Sequence, residues 1–203
     1  MTVTAEFHFD FGSPNAYFCA RVLPEIEERT GVTFQWVPVL LGGIFKATEN
    51  QAPWMAFAHV KGKVAYEQLE ITRFQKDHGI TNFLLNPNFP MVTLMMMRGA
   101  TAVEGTDDFR TYCDACFRGM WEDGKKMDDP DILLGALNDA GLDGAAIFEK
   151  AQTPDVKAKL IERTNDSVER GAFGIPTFFV GDEMFWGKER LGQIEAEIMK
   201  QKG

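Results

Sequence analysis

The sequence opens with a β-strand that runs directly into the start of a helix. Apolar and polar residues alternate from Val3 to Phe11, which is the two-residue period of a strand with one face in the core. Gly12-Ser13-Pro14 then ends the strand. Ser is a preferred N-cap and Pro suits the first helical position, so a helix is predicted to begin there. A second strand is predicted over residues 33–39, which completes a β-α-β unit with a right-handed crossover.

Helical patterns fill the middle of the chain, and strands return only near its end. After a further helix, a strand is predicted over Ile175–Val180, its hairpin partner over Glu183–Trp186, and a final helix follows. The order β-α-β, helices, then α-β-β-α predicts an α/β fold of the thioredoxin-like type with an inserted all-helical domain. The expected discontinuous domain comprises residues 1–41 and 151–203, and the inserted domain comprises residues 42–150.

Charge and cysteine content limit the expected partners and location. The 203 residues include 21 Lys and Arg against 30 Asp and Glu, without the basic cluster that a nucleic-acid partner needs. A long uncharged run that includes residues 82–97 contains Pro87 and Pro90, so no membrane span is expected. The first residues lack the features of a signal peptide, and three cysteines do not form a secreted disulfide framework. A cytoplasmic location is predicted.

Ser13 is the first candidate for a functional residue. In thioredoxin-like redox enzymes the corresponding helix start carries Cys-x-x-Cys, and the positive end of the helix stabilises a thiolate. Here Ser13 and Ala16 occupy the two cysteine positions, so a disulfide cannot form at this site. An ordinary N-cap serine remains the alternative interpretation.

Gly174-Ile175-Pro176-Thr177 is the second candidate, because thioredoxin-like folds keep a cis-proline beside the active helix. A cis bond before Pro176 would turn the backbone of Ile175 toward the site, where its N–H and C=O could pair with an extended peptide. The alternative is a plain trans turn before the strand.

Two segments carry a resemblance to a known family. Phe9-Asp10-Phe11-Gly12-Ser13-Pro14 and the run from Gly171 to Leu191 resemble the 2-hydroxychromene-2-carboxylate isomerase family, a relative of the kappa-class glutathione transferases in the DsbA-like branch of the thioredoxin superfamily. The resemblance covers essentially the whole chain. It implies an enzyme of aromatic catabolism that uses glutathione as its cofactor and forms a homodimer.

The resemblance also implies roles for individual residues. Ser13 would donate a hydrogen bond to the glutathione sulfur, and the backbone of Ile175 before Pro176 would hold the cysteinyl unit. The γ-glutamyl end would meet Trp186, Gly187, Lys188 and Glu189, and the glycyl carboxylate or the substrate acid would meet Asn50 and Lys61, with Lys63 as a further candidate. Family members usually have a small polar residue and Asp in place of Lys188-Glu189, which puts the geometry of glutathione binding in question.

The implied reaction is nucleophilic catalysis by the cofactor thiol. Addition to a conjugated aryl pyruvate makes its double bond rotatable, and elimination yields the other isomer. This would interconvert 2-hydroxychromene-2-carboxylate and trans-o-hydroxybenzylidenepyruvate. A small aromatic acid needs apolar walls, for which the candidates, with core packing as the alternative role of each, are Phe45, Trp54, Phe89 and Met91.

Three other functions remain open at this stage. The chain could be a kappa-class-like transferase that conjugates an electrophile, or a DsbA-like binding module without catalysis. It could also be a disulfide oxidoreductase that uses Cys113 and Cys116, although these lie on the apolar stripe of a predicted helix, where packing is the favoured role. No second Cys or His pair completes a metal site, so no metal is predicted. His8 is expected to be solvated or paired on the polar face of the first strand.

Overall fold

Strands from both ends of the chain form one sheet. The computed structural model describes residues 3–203. Its sheet has the order β2-β1-β3-β4, in which β1 is parallel to β2 and antiparallel to β3, and β3 is antiparallel to β4. The strands are β1 Ala5–Phe9, β2 Gln35–Pro38, β3 Thr177–Val180 and β4 Glu183–Trp186. This arrangement confirms the thioredoxin-like α/β fold that the order of elements predicts.

Ten helices surround this sheet in the described part of the chain. They are α1 Pro14–Thr30, α2 Leu41–Ala47, α3 Pro53–Ala56, α4 Lys63–Asp77, α5 Leu94–Val103, α6 Asp108–Trp121, α7 Pro130–Asp139, α8 Gly144–Ala151, α9 Pro154–Glu169 and α10 Leu191–Lys202. The seven from α2 to α8 account for the predicted helical insertion. Helix α9 packs against α2 and α5, so the insertion is held against the C-terminal half, and the division into two domains stays a prediction. Within residues 3–203, no helix is long and apolar enough to cross a membrane.

Helix α1 begins and ends where its sequence predicts. Ser13 is the N-cap and Pro14 the first helical residue, while Gly31 ends the helix in the left-handed conformation at φ 66°. The N–H of Gly31 donates to the carbonyl of Glu27 at 2.8 Å, which pairs one of the last helical carbonyls. These local contacts fix the position of Ser13 at the helix start.

The core lies on the apolar face of β1. Phe7, Phe9 and Phe11 are fully buried, as the alternation predicts. The Phe7 ring stacks on Phe178 of β3 at 5.1 Å between centroids, and the Phe11 ring meets Phe117 of α6 at 4.8 Å. Because large buried aromatic side chains each stabilise a fold by about 1.5–3 kcal/mol, this cluster ties the sheet to the inserted helices.

The polar face of β1 carries Glu6 and His8, and His8 is paired there, which is one of the two roles expected for it. His8 lies between two partners, with Nδ1 3.0 Å from the Ser167 hydroxyl of α9 and Nε2 2.8 Å from a Glu6 carboxylate oxygen. Glu6 also accepts from Arg170 at 2.7 Å. Helix α9 covers this face, and every polar group there has a partner. Ser167 is fully buried, and its contact with His8 joins β1 to α9.

Glu6 is expected to make the stability of the protein depend on pH. The hydrogen bond with His8, followed by the contacts with Arg170, lowers the pKa of Glu6 from 4.5 to about 2. A carboxyl group whose pKa is lower in the folded state stabilises that state above the unfolded pKa, and this contribution is lost as the pH falls from about 4.5 toward 2. We therefore expect Glu6→Gln to lower the free energy of unfolding by about 1–2 kcal/mol at pH 7, after allowance for solvent screening, and by less at pH 3.

Urea denaturation from pH 7 to pH 3 measures this difference. The matched control is Glu67→Gln, which removes an exposed ion pair with Lys63 on α4 and should change the stability by less than about 0.5 kcal/mol. An equal loss of stability by Glu6→Gln at both pH values would contradict the assignment.

Candidate active site

The two motifs singled out in the sequence meet at one point. The Ser13 hydroxyl donates to the carbonyl of Ile175 at 3.1 Å and accepts from the N–H of Ala16 at 3.2 Å. Ser13 and Ile175 are both buried, and the peptide bond between Ile175 and Pro176 is cis, as predicted. The contact forms because β1 leads into α1, Pro176 leads into β3, and the two strands are neighbours.

The backbone of Ile175 is only partly paired. Among residues 3–203, its N–H has no acceptor and its carbonyl accepts only from Ser13. An extended peptide that pairs with both groups would satisfy them by strand addition. The first turn of the 17-residue helix α1 directs its positive end to the same place, which favours a negatively charged group there.

Trp186 and Gly187 flank this loop from the other side. Gly187 donates its N–H to the carbonyl of Pro176 at 3.0 Å. The indole of Trp186 lies over Gly174 so closely that a Cβ there would come within 2.8 Å of the indole nitrogen. Gly174 is therefore required for this packing, and the exposed part of Trp186 borders the loop that carries Ile175.

Asn50, a candidate ligand-binding residue from the helical insertion, contacts the loop that carries Ile175. Its side-chain nitrogen donates to the carbonyl of Phe173 at 2.8 Å. Lys61 is exposed, and Lys63 at the start of α4 pairs with Glu67 at 2.6 Å. Of the three side chains expected to meet a carboxylate, only Asn50 has a direct contact with the residues around Ile175 in the described structure.

Lys188 and Glu189 form an ion pair with each other beside this site. Lys188 is only 3% exposed, and its ammonium group also lies 5.5 Å from the centre of the Phe74 ring of α4. The Glu189 side chain is about half exposed (49%). Lys188, which departs from the family pattern, is therefore the buried member of the ion pair. Glu189 is the member that a ligand can reach.

An aromatic path leads from the surface to the turn before Ser13. The Trp54 ring lies 6.2 Å from that of Phe89, which lies 5.6 Å from that of Trp121. The indole N–H of Trp121 donates to the carbonyl of Phe11 at 2.8 Å. Trp54 and Phe89, two of the four predicted wall residues, are therefore connected to the turn before Ser13 through Trp121, a residue that the sequence patterns do not single out. The other two, Phe45 and Met91, are half-buried.

Asp10 is a second residue beside this turn that the sequence patterns do not single out. It is buried, and its two carboxylate oxygens accept from the N–H of Gly12 and of Leu41, each at 2.8 Å. Burial raises the pKa of this carboxyl group, and the donated hydrogen bonds oppose that effect. The available indication is its position directly after β1, three residues before Ser13. Asp10 therefore joins the turn before Ser13 to the start of α2.

Comparison with known proteins places this geometry in a family. A family model for the DSBA-like thioredoxin domain matches residues 4–199. The chain belongs to this family. Its relatives include a protein from Sphingobium xenophagum named 2-hydroxychromene-2-carboxylate isomerase, which is 28% identical over 201 residues covering 98% of this chain and 100% of the relative. The human protein named glutathione S-transferase kappa 1 is 25% identical over 216 residues, which cover 98% and 92% of the two chains.

A solved structure agrees with these relatives of the DSBA-like chain. A protein named 2-hydroxychromene-2-carboxylate isomerase (HCCA isomerase) superposes with a TM-score of 0.83 at 25% identity, covering 98% of this chain and 96% of the other. The resemblance inferred from the two sequence segments is confirmed, and the named relatives indicate an enzyme of the isomerase type.

All three cysteines of this DSBA-like chain lie away from solvent. Cys19, Cys113 and Cys116 are free and buried. Burial raises the pKa of each thiol, that of Cys116 to about 12. Because the thiolate is the reactive form, dithiol chemistry on α6 is disfavoured by both access and ionisation. Within residues 3–203, no cluster of three or more His, Cys, Asp or Glu side chains could hold a metal ion.

We expect none of the three thiols to react in the native protein. Ellman's reagent at pH 8 should detect no thiol under native conditions and all three after unfolding in guanidinium, because a buried protonated thiol neither meets the reagent nor attacks it. Rapid reaction of one or two native thiols would contradict the assignment of Cys113 and Cys116 to packing.

Proposed function

We propose that this chain is a glutathione-dependent cis–trans isomerase of a small aromatic acid. The expected pair is 2-hydroxychromene-2-carboxylate and trans-o-hydroxybenzylidenepyruvate. The observation that carries the proposal is the Ser13 hydroxyl at the start of α1, 3.1 Å from the backbone carbonyl of Ile175. Relatives named for this isomerase and for glutathione S-transferase kappa support it.

The residues around Ile175 fit a peptide thiol. The unpaired N–H of Ile175 needs an acceptor, which the cysteinyl carbonyl of glutathione would supply. The exposed carboxylate of Glu189 suits the free ammonium group of the γ-glutamyl end, and Trp186 and Gly187 would border that end. Asn50 would meet the glycyl carboxylate, since an amide nitrogen can donate to it.

The chain's own residues would then act on the sulfur and on the aromatic ring. When bound, glutathione supplies a thiolate, the nucleophile that makes a conjugated double bond rotatable. Ser13 and the positive end of α1 would favour the charged form of the sulfur. Trp54 and Phe89 would pack against the flat ring of the substrate, which also excludes water from the reacting atoms.

Ser13→Ala tests the role of the hydroxyl. We expect turnover to fall by about 100-fold, because the removed donor acts on charge at the reacting sulfur, as an oxyanion-hole donor does. The dissociation constant of glutathione should change by less than about threefold, because the backbone of Ile175 and the groups at the two ends provide most of the affinity. Steady-state kinetics and calorimetry measure the two quantities.

The matched control is Thr153→Ala. Thr153 is the N-cap of α9 and makes no side-chain cap hydrogen bond, so this variant removes a helix-start hydroxyl outside the site and should keep wild-type kinetics. Unchanged turnover in Ser13→Ala would refute the proposed role, and so would a parallel loss of turnover and binding, which indicates that Ser13 only positions the ligand.

A kappa-type transferase is the second candidate, favoured by the similarity to glutathione S-transferase kappa 1. An isomerase forms product while the concentration of free glutathione stays constant, whereas a transferase consumes one glutathione for each product. A DsbA-like binding module without catalysis would give no glutathione binding in calorimetry and no effect of Ser13→Ala. The homodimer, the small aromatic acid as partner and the cytoplasmic location remain predictions from the resemblance.

A further inference from the structure

The Ser13 hydroxyl has one proton, and that proton already has an acceptor. A serine hydroxyl donates once and accepts through its lone pairs. In this structure it donates to the carbonyl of Ile175 at 3.1 Å while Ala16 donates to its oxygen. A sulfur placed at the start of α1 therefore competes with Ile175 for the only proton of Ser13.

Moving that proton has a cost inside this site. The charged sulfur is the stronger acceptor, because hydrogen bonds to ionised groups are about twice as strong as neutral ones. However, Ser13 is the sole donor to the Ile175 carbonyl among residues 3–203, and both residues are buried. A buried carbonyl that loses its only partner carries a desolvation penalty.

A ligand N–H at the same carbonyl removes the penalty. In a hydrogen-bonded strand pair, two facing residues exchange both of their N–H and C=O groups. A residue that pairs with Ile175 in this way accepts from the free N–H of Ile175 and donates its own N–H to the Ile175 carbonyl. In glutathione the residue in question is the cysteinyl unit, which also carries the sulfur.

We propose that the backbone N–H of the bound thiol residue releases the Ser13 proton, so that this site activates peptide thiols and leaves simple thiols unactivated. The inference rests on the proposed function and concerns the ligand class of the same site. Ile175 acts as the switch through its backbone: its carbonyl holds the Ser13 proton until an N–H replaces it. Selection is then based on a hydrogen-bond donor in the ligand, in addition to its shape.

The test compares glutathione with an ester analogue in which oxygen replaces the cysteinyl N–H. The two ligands have the same thiol and nearly the same shape. Ultraviolet absorbance of the thiolate gives the pKa of each bound thiol in the wild type and in Ser13→Ala. For glutathione, Ser13→Ala should raise the thiol pKa by about one unit. For the analogue, the two proteins should agree within about 0.3 unit, because the Ser13 proton stays on Ile175.

The rate at which iodoacetamide alkylates the ligand thiol, measured across a pH series in the presence of each protein, gives a second readout. This readout does not require the protein to be saturated with ligand. An equal effect of Ser13→Ala on both ligands, in either readout, would overturn the inference and leave the proposed function intact. A failure of glutathione to bind in calorimetry would overturn the proposed function and the inference together.

Discussion

One hydrogen bond joins the two ends of the chain at the candidate site. The Ser13 hydroxyl and the Ile175 carbonyl are 162 positions apart in sequence and 3.1 Å apart in space. They meet because β1 and β3 are antiparallel neighbours, so that the turn after β1 faces the loop before β3. A serine at a helix N-cap is common in proteins. Ser13 differs from an ordinary cap because it also contacts the carbonyl of Ile175, a residue whose backbone N–H is unpaired. These two backbone groups of Ile175 make the site suitable for a peptide ligand.

Polar and aromatic contacts beneath the site hold this geometry. Asp10 accepts from Gly12 in the turn before Ser13 and from Leu41 at the start of α2, and Trp121 of α6 donates to the carbonyl of Phe11 in the same turn. The inserted helices are therefore attached directly to the residues around Ser13. The same attachment brings Phe89, which contacts Trp121, toward the helix start. The Ser13 hydroxyl and the rings of Trp121 and Phe89 therefore belong to one connected structure, although they come from different parts of the sequence.

Local chemistry explains why the N-cap at Ser13 and the order of strands and helices could be predicted. The cis bond before Pro176 was expected from the thioredoxin-like fold that this order indicates, because the local sequence alone also allows a trans turn. Capping, turn and strand patterns depend on neighbouring residues and are readable along the chain. The burial of His8 could not be predicted, because its partner Ser167 lies on α9, 159 positions away. Lys188 was expected at the ligand, yet it is buried beside Phe74 of α4, a contact that only the tertiary packing creates. The sequence pattern of a single chain does not show which distant residues a polar side chain contacts in the fold.

The most direct measurement is a crystal structure of the protein with glutathione. We expect the glutathione sulfur within hydrogen-bonding distance of the Ser13 hydroxyl, with the cysteinyl N–H and C=O paired to the backbone of Ile175. Glutathione bound elsewhere, or bound with its sulfur away from Ser13 and the N–H of Ile175 still unpaired, would contradict the central claim that the meeting point of Ser13 and Ile175 is the active site.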